Sequence, residues 1–201
     1  MKLLLATRNA KKLDELRRIL APLVAVEVIG LDDIDDVAPY EEVAETGATF
    51  ADNALLKARE AVAHTGLISV ADDSGIAIDA LNGMPGVLSA RWAGTRKDDA
   101  ANLQLVLEQL ADVPDERRGG AFVCAAALVT PSGQETVVEG RMPGHVVRAP
   151  RGSNGFGYDP IFVADGQTLT NGELPPAEKD VISHRGKALR ALVPHIATAI
   201  G

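Results

Sequence analysis

Apolar residues in this chain change their spacing from one segment to the next, and those changes map its elements. Residues 2–6 are an almost unbroken apolar run, as in a buried strand, and Leu13, Leu16, Ile19, Leu20 and Leu23 then recur at the spacing of an amphipathic helix. Thr7-Arg8-Asn9 stands between them as loop and N-cap. Residues 24–29 read as a second strand, followed by an acidic surface loop over 31–36 that lacks the Gly and terminal Glu of a calcium-binding EF-hand. Thr49 caps a helix over 49–64 that gathers Phe50, Ala54, Ala58, Ala61 and Val62 on or near one face. Residues 67–71 form a third buried strand, which on this pattern ends at Asp72-Asp73, before the turn residues Ser74 and Gly75. Leu103, Val106, Leu107 and Leu110 define a helix over 98–110. Residues 121–130 and 135–139 flank Pro131-Ser132-Gly133-Gln134 as the strands of a hairpin. A Gly-rich loop over 152–157 and a terminal helix over 186–200, ended or kinked before Pro194, complete the map. Strands and helices alternate early and strands pair late, which predicts an α/β fold with a mixed sheet flanked by helices.

Composition narrows the setting. A chain of 201 residues, 46% hydrophobic, can bury a large core in one domain without staples. Cys124 is the only cysteine, so no internal disulfide forms, and a reducing, cytoplasmic environment is expected. The apolar start imitates a signal peptide, but Thr7-Arg8-Asn9 breaks it too early, and no run is long enough to cross a bilayer. A net charge of -8 argues against a nucleic-acid or anionic-membrane surface. Any polyanion must therefore be met locally.

Local groups of that kind are present. Asp72 and Asp73 repel one another unless a metal or a proton sits between them, although a solvated Asp-Asp turn remains open on the pair alone. Thr7, Arg8, Asn9, Ala10, Lys11 and Lys12 join a strand to a helix, where backbone N–H groups, a hydroxyl, an amide and lysines can hold phosphate oxygens. An ordinary cap with lysines on the solvent face fits that stretch too, and it is not a Walker A loop. Glu45 is a hard oxygen ligand of the type magnesium prefers, and Asn53 and Lys57, four apart, share a helical face. The glycines around Phe156 and Tyr158 suit a platform on which a planar base stacks, with Gly157 between the rings and Asp159 as an acceptor. Lys179 and Ser183-His184-Arg185 add cationic and hydrogen-bonding groups.

Taken in order, the motifs T-x-N-x-x-K, E-T-G-x-T-F-x-x-N-A-x-x-K-A, A-D-D-S-G, P-G-x-x-S-A-R, G-F-G-Y-D-P and S-H-R run from residue 4 to residue 189. Together they resemble the inosine/xanthosine triphosphate pyrophosphatase family of house-cleaning enzymes. The resemblance implies hydrolysis of deaminated purine nucleoside triphosphates (ITP, dITP, XTP) to the monophosphate and pyrophosphate, which keeps aberrant purines out of nucleic acid. It implies a magnesium cofactor, a small-molecule nucleotide as partner and usually a homodimer. It also implies one domain over residues 1–201 with no separate linker: an elongated α/β fold around a central mixed sheet, with two lobes and the active-site cleft between them. Carried onto this chain, Asp73 corresponds to the general base and a metal ligand, with Glu45 and Asp72 also holding magnesium. Thr7, Asn9, Lys12, Lys57 and Ser74 correspond to the triphosphate cradle, Phe156 to the stacking ring, and Asp159, Lys179, His184 and Arg185 to readers of the base edge. Arg8 departs from the family pattern, where a glycine is frequent.

Overall fold

The protein is described by a computed structural model over residues 2–34 and 43–201. The elements are β1 (Lys2–Leu5), α1 (Ala10–Leu20), β2 (Glu27–Gly30), α2 (Phe50–Thr65), β3 (Ile68–Ile78), α3 (Asp99–Gln109), β4 (Gly119–Val129), β5 (Glu135–Val146), β6 (Phe162–Ala164), α4 (Pro176–Ile182) and α5 (His184–Ile200). Six strands form one sheet in the order β2-β1-β3-β4-β5-β6. β1 pairs in parallel with β2 and β3, while β5 and β6 are antiparallel, so the sheet is mixed. No helix among the described residues is long and apolar enough to cross a membrane.

The chain divides into two compact units. The first holds Met1–Asp73, Cys124–Gly140 and Arg185–Gly201; the second holds Ser74–Val123 and Arg141–His184.

In the first unit the strand period of two sends alternate residues to opposite faces. Leu3, Leu5 and Val70 turn toward α1 and α5, where Leu16, Ile19, Leu20, Leu189, Leu192 and Ile196 complete a core. Leu4, Ala6 and Ala71 turn toward α2, where Ala54, Ala58 and Ala61 pack. β4 is buried nearly along its whole length, which its unbroken apolar sequence requires, and Cys124 lies inside the α1 and α5 core. In the second unit Ile76, Ile78, Leu103, Val106, Leu110, Phe122 and Phe162 form a separate core.

Several elements differ from the sequence pattern. β3 does not stop at the acidic pair: it continues through Ser74 and Gly75 to Ile78, because Ile76 and Ile78 are fully buried and reward the extension. β5 likewise runs past its expected end at 139 to Val146. β2 covers 27–30 rather than 24–29, and Leu23 is exposed beyond the end of α1. β6 and α4 were not visible in the pattern; one has three residues, the other is a single short helix. α5 continues through Pro194 to Ile200 rather than ending there, held by the apolar face it lays on the core. The acidic loop begins as a 3-10 turn over Leu31–Asp33, with Asp33 accepting from Gly30 N and pairing with Arg17, while Asp35 and Asp36 lie outside the described residues.

Candidate active site

The first unit brings most of the expected phosphate and metal residues onto three elements. Asn9 caps α1 by accepting a hydrogen bond from Lys12 N at 3.2 Å, and Thr7 Oγ1 accepts one from Asn9 N at 3.2 Å. The exposed Arg8, Asn9, Ala10 and Lys11 thus surround a capped helix start. Thr7 and Arg8 line one pocket with Lys57 and Glu60.

Asp72 and Asp73 are consecutive in a strand and therefore point to opposite faces of the sheet. Asp72 turns toward α1 and α5: its Oδ2 accepts from Lys12 Nζ and from Arg185 Nε, each at 3.2 Å, and Arg185 in turn pairs with Glu15 at 2.7 Å. All three of Asp72, Arg185 and Glu15 are buried. Burial opposes the Arg185 charge, but Glu15 and Asp72 more than offset it, so the guanidinium stays firmly protonated. Asp73 turns toward α2 instead. Its Oδ2 accepts from Asn53 Nδ2 at 3.1 Å and its Oδ1 lies 3.5 Å from Lys57 Nζ, which donates to Glu45 Oε1 at 2.6 Å. Gly47 N donates to Asn53 Oδ1 at 2.7 Å, fixing the amide so that its NH2 faces Asp73.

Each aspartate has its nearest basic partners on its own face of the sheet, Lys12 and Arg185 for Asp72 and Lys57 for Asp73, while Lys57 also acts on Asp72 and Lys12 on Asp73 at longer range. Asp72 thus sits among Lys12, Arg185 and Glu15, and Asp73 beside Lys57 and Glu45. The remaining group, Glu45, Asp73 and Lys57, sets two carboxylates against one ammonium. Its imbalance shows in the titration: burial, and secondarily Glu45, push the Asp73 carboxyl above the usual carboxylate range despite Lys57 and Lys12. Burial pulls Lys57 down, yet Asp73, Asp72 and Glu45 outweigh it and leave the ammonium above its ordinary value.

Glu45 and Asp73 are hard oxygen donors converging on one cationic position, so they fit a divalent ion. Among the described residues no three ligating side chains converge. Magnesium, which keeps several waters and commonly binds through one or two carboxylates plus substrate phosphates, needs no more.

The second unit holds the aromatic loop. Phe156 is half-buried, and Asp159 beneath it is buried, accepting from Phe156 N at 2.9 Å and from Lys179 Nζ at 2.7 Å through the same oxygen, Oδ2. The Lys179 ammonium lies 5.5 Å from the centre of the Phe156 ring. Gly155 has φ +73°, and a Cβ there would overlap Asp159 Oδ2, so only glycine allows the loop this close. Tyr158 is not part of a platform: it is buried in the core and donates its hydroxyl to Ser89 O at 2.8 Å, with burial raising its phenol well above the ordinary value. Asp159 is engaged as the counter-ion of Lys179. His184 stacks on Phe122 at 4.9 Å. Arg185, grouped in sequence with His184, belongs to the first unit and to Asp72. Ser74 is half-buried in β3 directly after Asp73.

Sequence reasoning passed over Glu15 and Asn171. Glu15 lies four residues before Ile19, on the buried face of α1, and that misplaced charge was the available signal. Asn171, within Thr170-Asn171-Gly172, gave none.

The model of the Ham1 family matches residues 3–195. A dITP/XTP pyrophosphatase from Mycobacteroides abscessus is 63% identical over 196 residues, covering 96% of this chain and 94% of that protein. One from Nocardia farcinica is 63% identical over 198 residues, covering 98% and 95%. The structure of a HAM1 protein from Coxiella burnetii superposes with a TM-score of 0.86 at 40% identity, covering 99% of this chain and all of that one.

Proposed function

Because the chain belongs to the Ham1 family, we propose that it is a magnesium-dependent pyrophosphatase that hydrolyses deaminated purine nucleoside triphosphates (ITP, dITP and XTP) to the monophosphate and pyrophosphate. The observation that carries the reading is the net-negative trio of a buried Asp73 with the half-buried Glu45 and Lys57. Two carboxylates converging on one ammonium have a use for a divalent cation, and with one in place the trio would carry a net positive charge toward a triphosphate.

Glu45 and Asp73 would hold the ion, which would supply neutralisation of phosphate charge. Lys57, with Lys12, Thr7 and Asn9, binds phosphate oxygens. Asp73 orients a water at the α-phosphorus and takes its proton; the water oxygen bonds to that phosphorus as the bridging oxygen to the β-phosphorus leaves with pyrophosphate. Asn53 keeps Asp73 aimed, since its own orientation is set by Gly47.

Phe156 stacks on the base, and Lys179 donates to the six-position oxygen that hypoxanthine and xanthine carry and adenine lacks. A donor that meets an amino group instead is left unpaired, which can reject the wrong substrate by about 10,000-fold. The working molecule is a cytoplasmic homodimer, to be checked by light scattering of the purified chain.

Pyrophosphate release from ITP, XTP, dITP, GTP, ATP and dUTP, with and without magnesium, tests the reading. Turnover confined to deaminated purines and dependent on magnesium is the expected result. Equal turnover of ATP, or none of ITP, overturns it.

A further inference from the structure

Asn171 lies behind the aromatic loop and is fully buried. Its Nδ2 donates to Asp159 Oδ1 at 3.3 Å, and its backbone N donates to Phe162 O at 2.9 Å. Its side-chain oxygen has no hydrogen-bond partner among the described residues. Turning the amide over would set that oxygen against a carboxylate, so the NH2 must face Asp159. A buried acceptor without a donor is unfavourable, and an apolar side chain of the same size would avoid it. The amide therefore earns its place through its donor.

What that donor does follows from how Asp159 is held. Both Lys179 Nζ and Phe156 N bind Oδ2, so on their own they leave the carboxylate free to swing about that oxygen. Asn171 holds Oδ1 and sets the plane. Gly172 N holds the backbone carbonyl of Asp159 at 3.0 Å, so the same segment fixes both ends of the residue. The direction of the Oδ2 lone pairs, and with it the position of the Lys179 ammonium beside the Phe156 ring, depends on that plane.

We propose that Asn171 is a positioning residue for base selection, acting on Lys179 through the plane of the Asp159 carboxylate. This rests on the reading of Lys179 as the group that tells ITP from ATP. It predicts that the donor of Asn171 matters to discrimination and little to phosphate chemistry, whose residues lie in the first unit.

The test compares kcat and KM for ITP and ATP in Asn171→Leu, Asn171→Ala, Lys179→Ala and the double variant Asn171→Leu/Lys179→Ala, each confirmed folded by thermal unfolding. Asn171→Leu is expected to lower the ITP-over-ATP ratio of kcat/KM about tenfold, because an ångström of misplacement at a site costs on that scale or more. The loss should appear in KM for ITP, with kcat within about threefold. Asn171→Ala, which makes room for a water as substitute donor, should lose less, and it carries the test if the leucine does not fit. The double variant should be no less selective than Lys179→Ala alone. If Lys179→Ala lowers the ratio and neither Asn171 variant does, the proposal is overturned while the reading of Lys179 stands. If none of them lowers it, both fall. A loss in the Asn171 variants without one in Lys179→Ala, or a further loss in the double variant, overturns the route through Lys179.

Discussion

The two charged clusters on α2 and around the aromatic loop are built on opposite principles. Glu45, Asp73 and Lys57 are two acids and one base, and of the two acids Asp73 is buried, at a cost visible in its raised carboxyl. Asp159 and Lys179 are one acid and one base at 2.7 Å, with the remaining carboxylate oxygen and a backbone N–H also engaged. On the proposed reading the unbalanced cluster takes up the charge of an ion that comes with the substrate, whereas the balanced one presents a fixed shape and a fixed donor. The first arrangement suits chemistry and the second suits recognition. Exchanging single groups in each tests whether that division holds.

The largest effect is expected at Asp73. Asp73→Asn keeps the side-chain size and the neighbours but cannot accept the proton of water, so kcat for ITP should fall about 100- to 10,000-fold with nucleotide affinity kept within a few-fold. Single-turnover pyrophosphate release and equilibrium binding separate the two quantities. A variant that turns over at near the parental rate removes Asp73 from the chemistry and erases the contrast.

On the recognition side, Lys179→Ala should leave kcat for ITP nearly intact and reduce the ITP-over-ATP preference on the order of 100-fold, since the donor that finds no partner on adenine is gone. Competition between the two nucleotides in one reaction reads this directly. A preference that survives places discrimination in other groups.

How far these clusters could be read from the sequence differs with their physics. Asn53 and Lys57 were visible because a helix puts residues four apart on one face, and the capped start of α1 was visible because Asn9 stands just before an apolar period of 3.6. The long runs that make β1, β3 and β4 announced themselves by hydrophobicity alone. The opposed faces of Asp72 and Asp73 were also implicit, but only once the strand is known to continue past them; Ser74 and Gly75 read locally as a turn, and the burial of Ile76 and Ile78 overrides that preference. β6 and α4 escaped because a three-residue strand and a seven-residue helix carry too few periods to register. Asn171 and the Asp159 plane escaped because contacts between loops have no period at all.

Glu45 sharpens the chemical side with a smaller effect. Glu45→Gln removes one of the two carboxylates facing Lys57 and leaves the proton acceptor in place. The magnesium concentration giving half-maximal rate should rise about tenfold, with the rate at saturating magnesium largely recovered. Titrating magnesium against rate for the two proteins measures it. An unchanged requirement assigns the ion to other ligands.

The smallest effect concerns stability, and its sign carries the argument. A carboxyl held above its ordinary pKa binds its proton more tightly in the folded than in the unfolded chain. Its contribution is therefore intact below the ordinary carboxylate value, declines as the pH rises from there through the raised folded value, and stays low above it. At pH 8 in EDTA the parental protein carries that full disadvantage, and Asp73→Asn abolishes it while Lys57 keeps Glu45 as a partner. The exchange that stops turnover should thus raise Tm by a few degrees. The same exchange at Asp159 removes half of a balanced buried pair, strands the Lys179 ammonium and should lower Tm. Thermal unfolding of both variants in one buffer decides the matter: two shifts of the same sign would mean that the clusters are alike, and that the excess charge at Asp73 is not what sets the two regions apart.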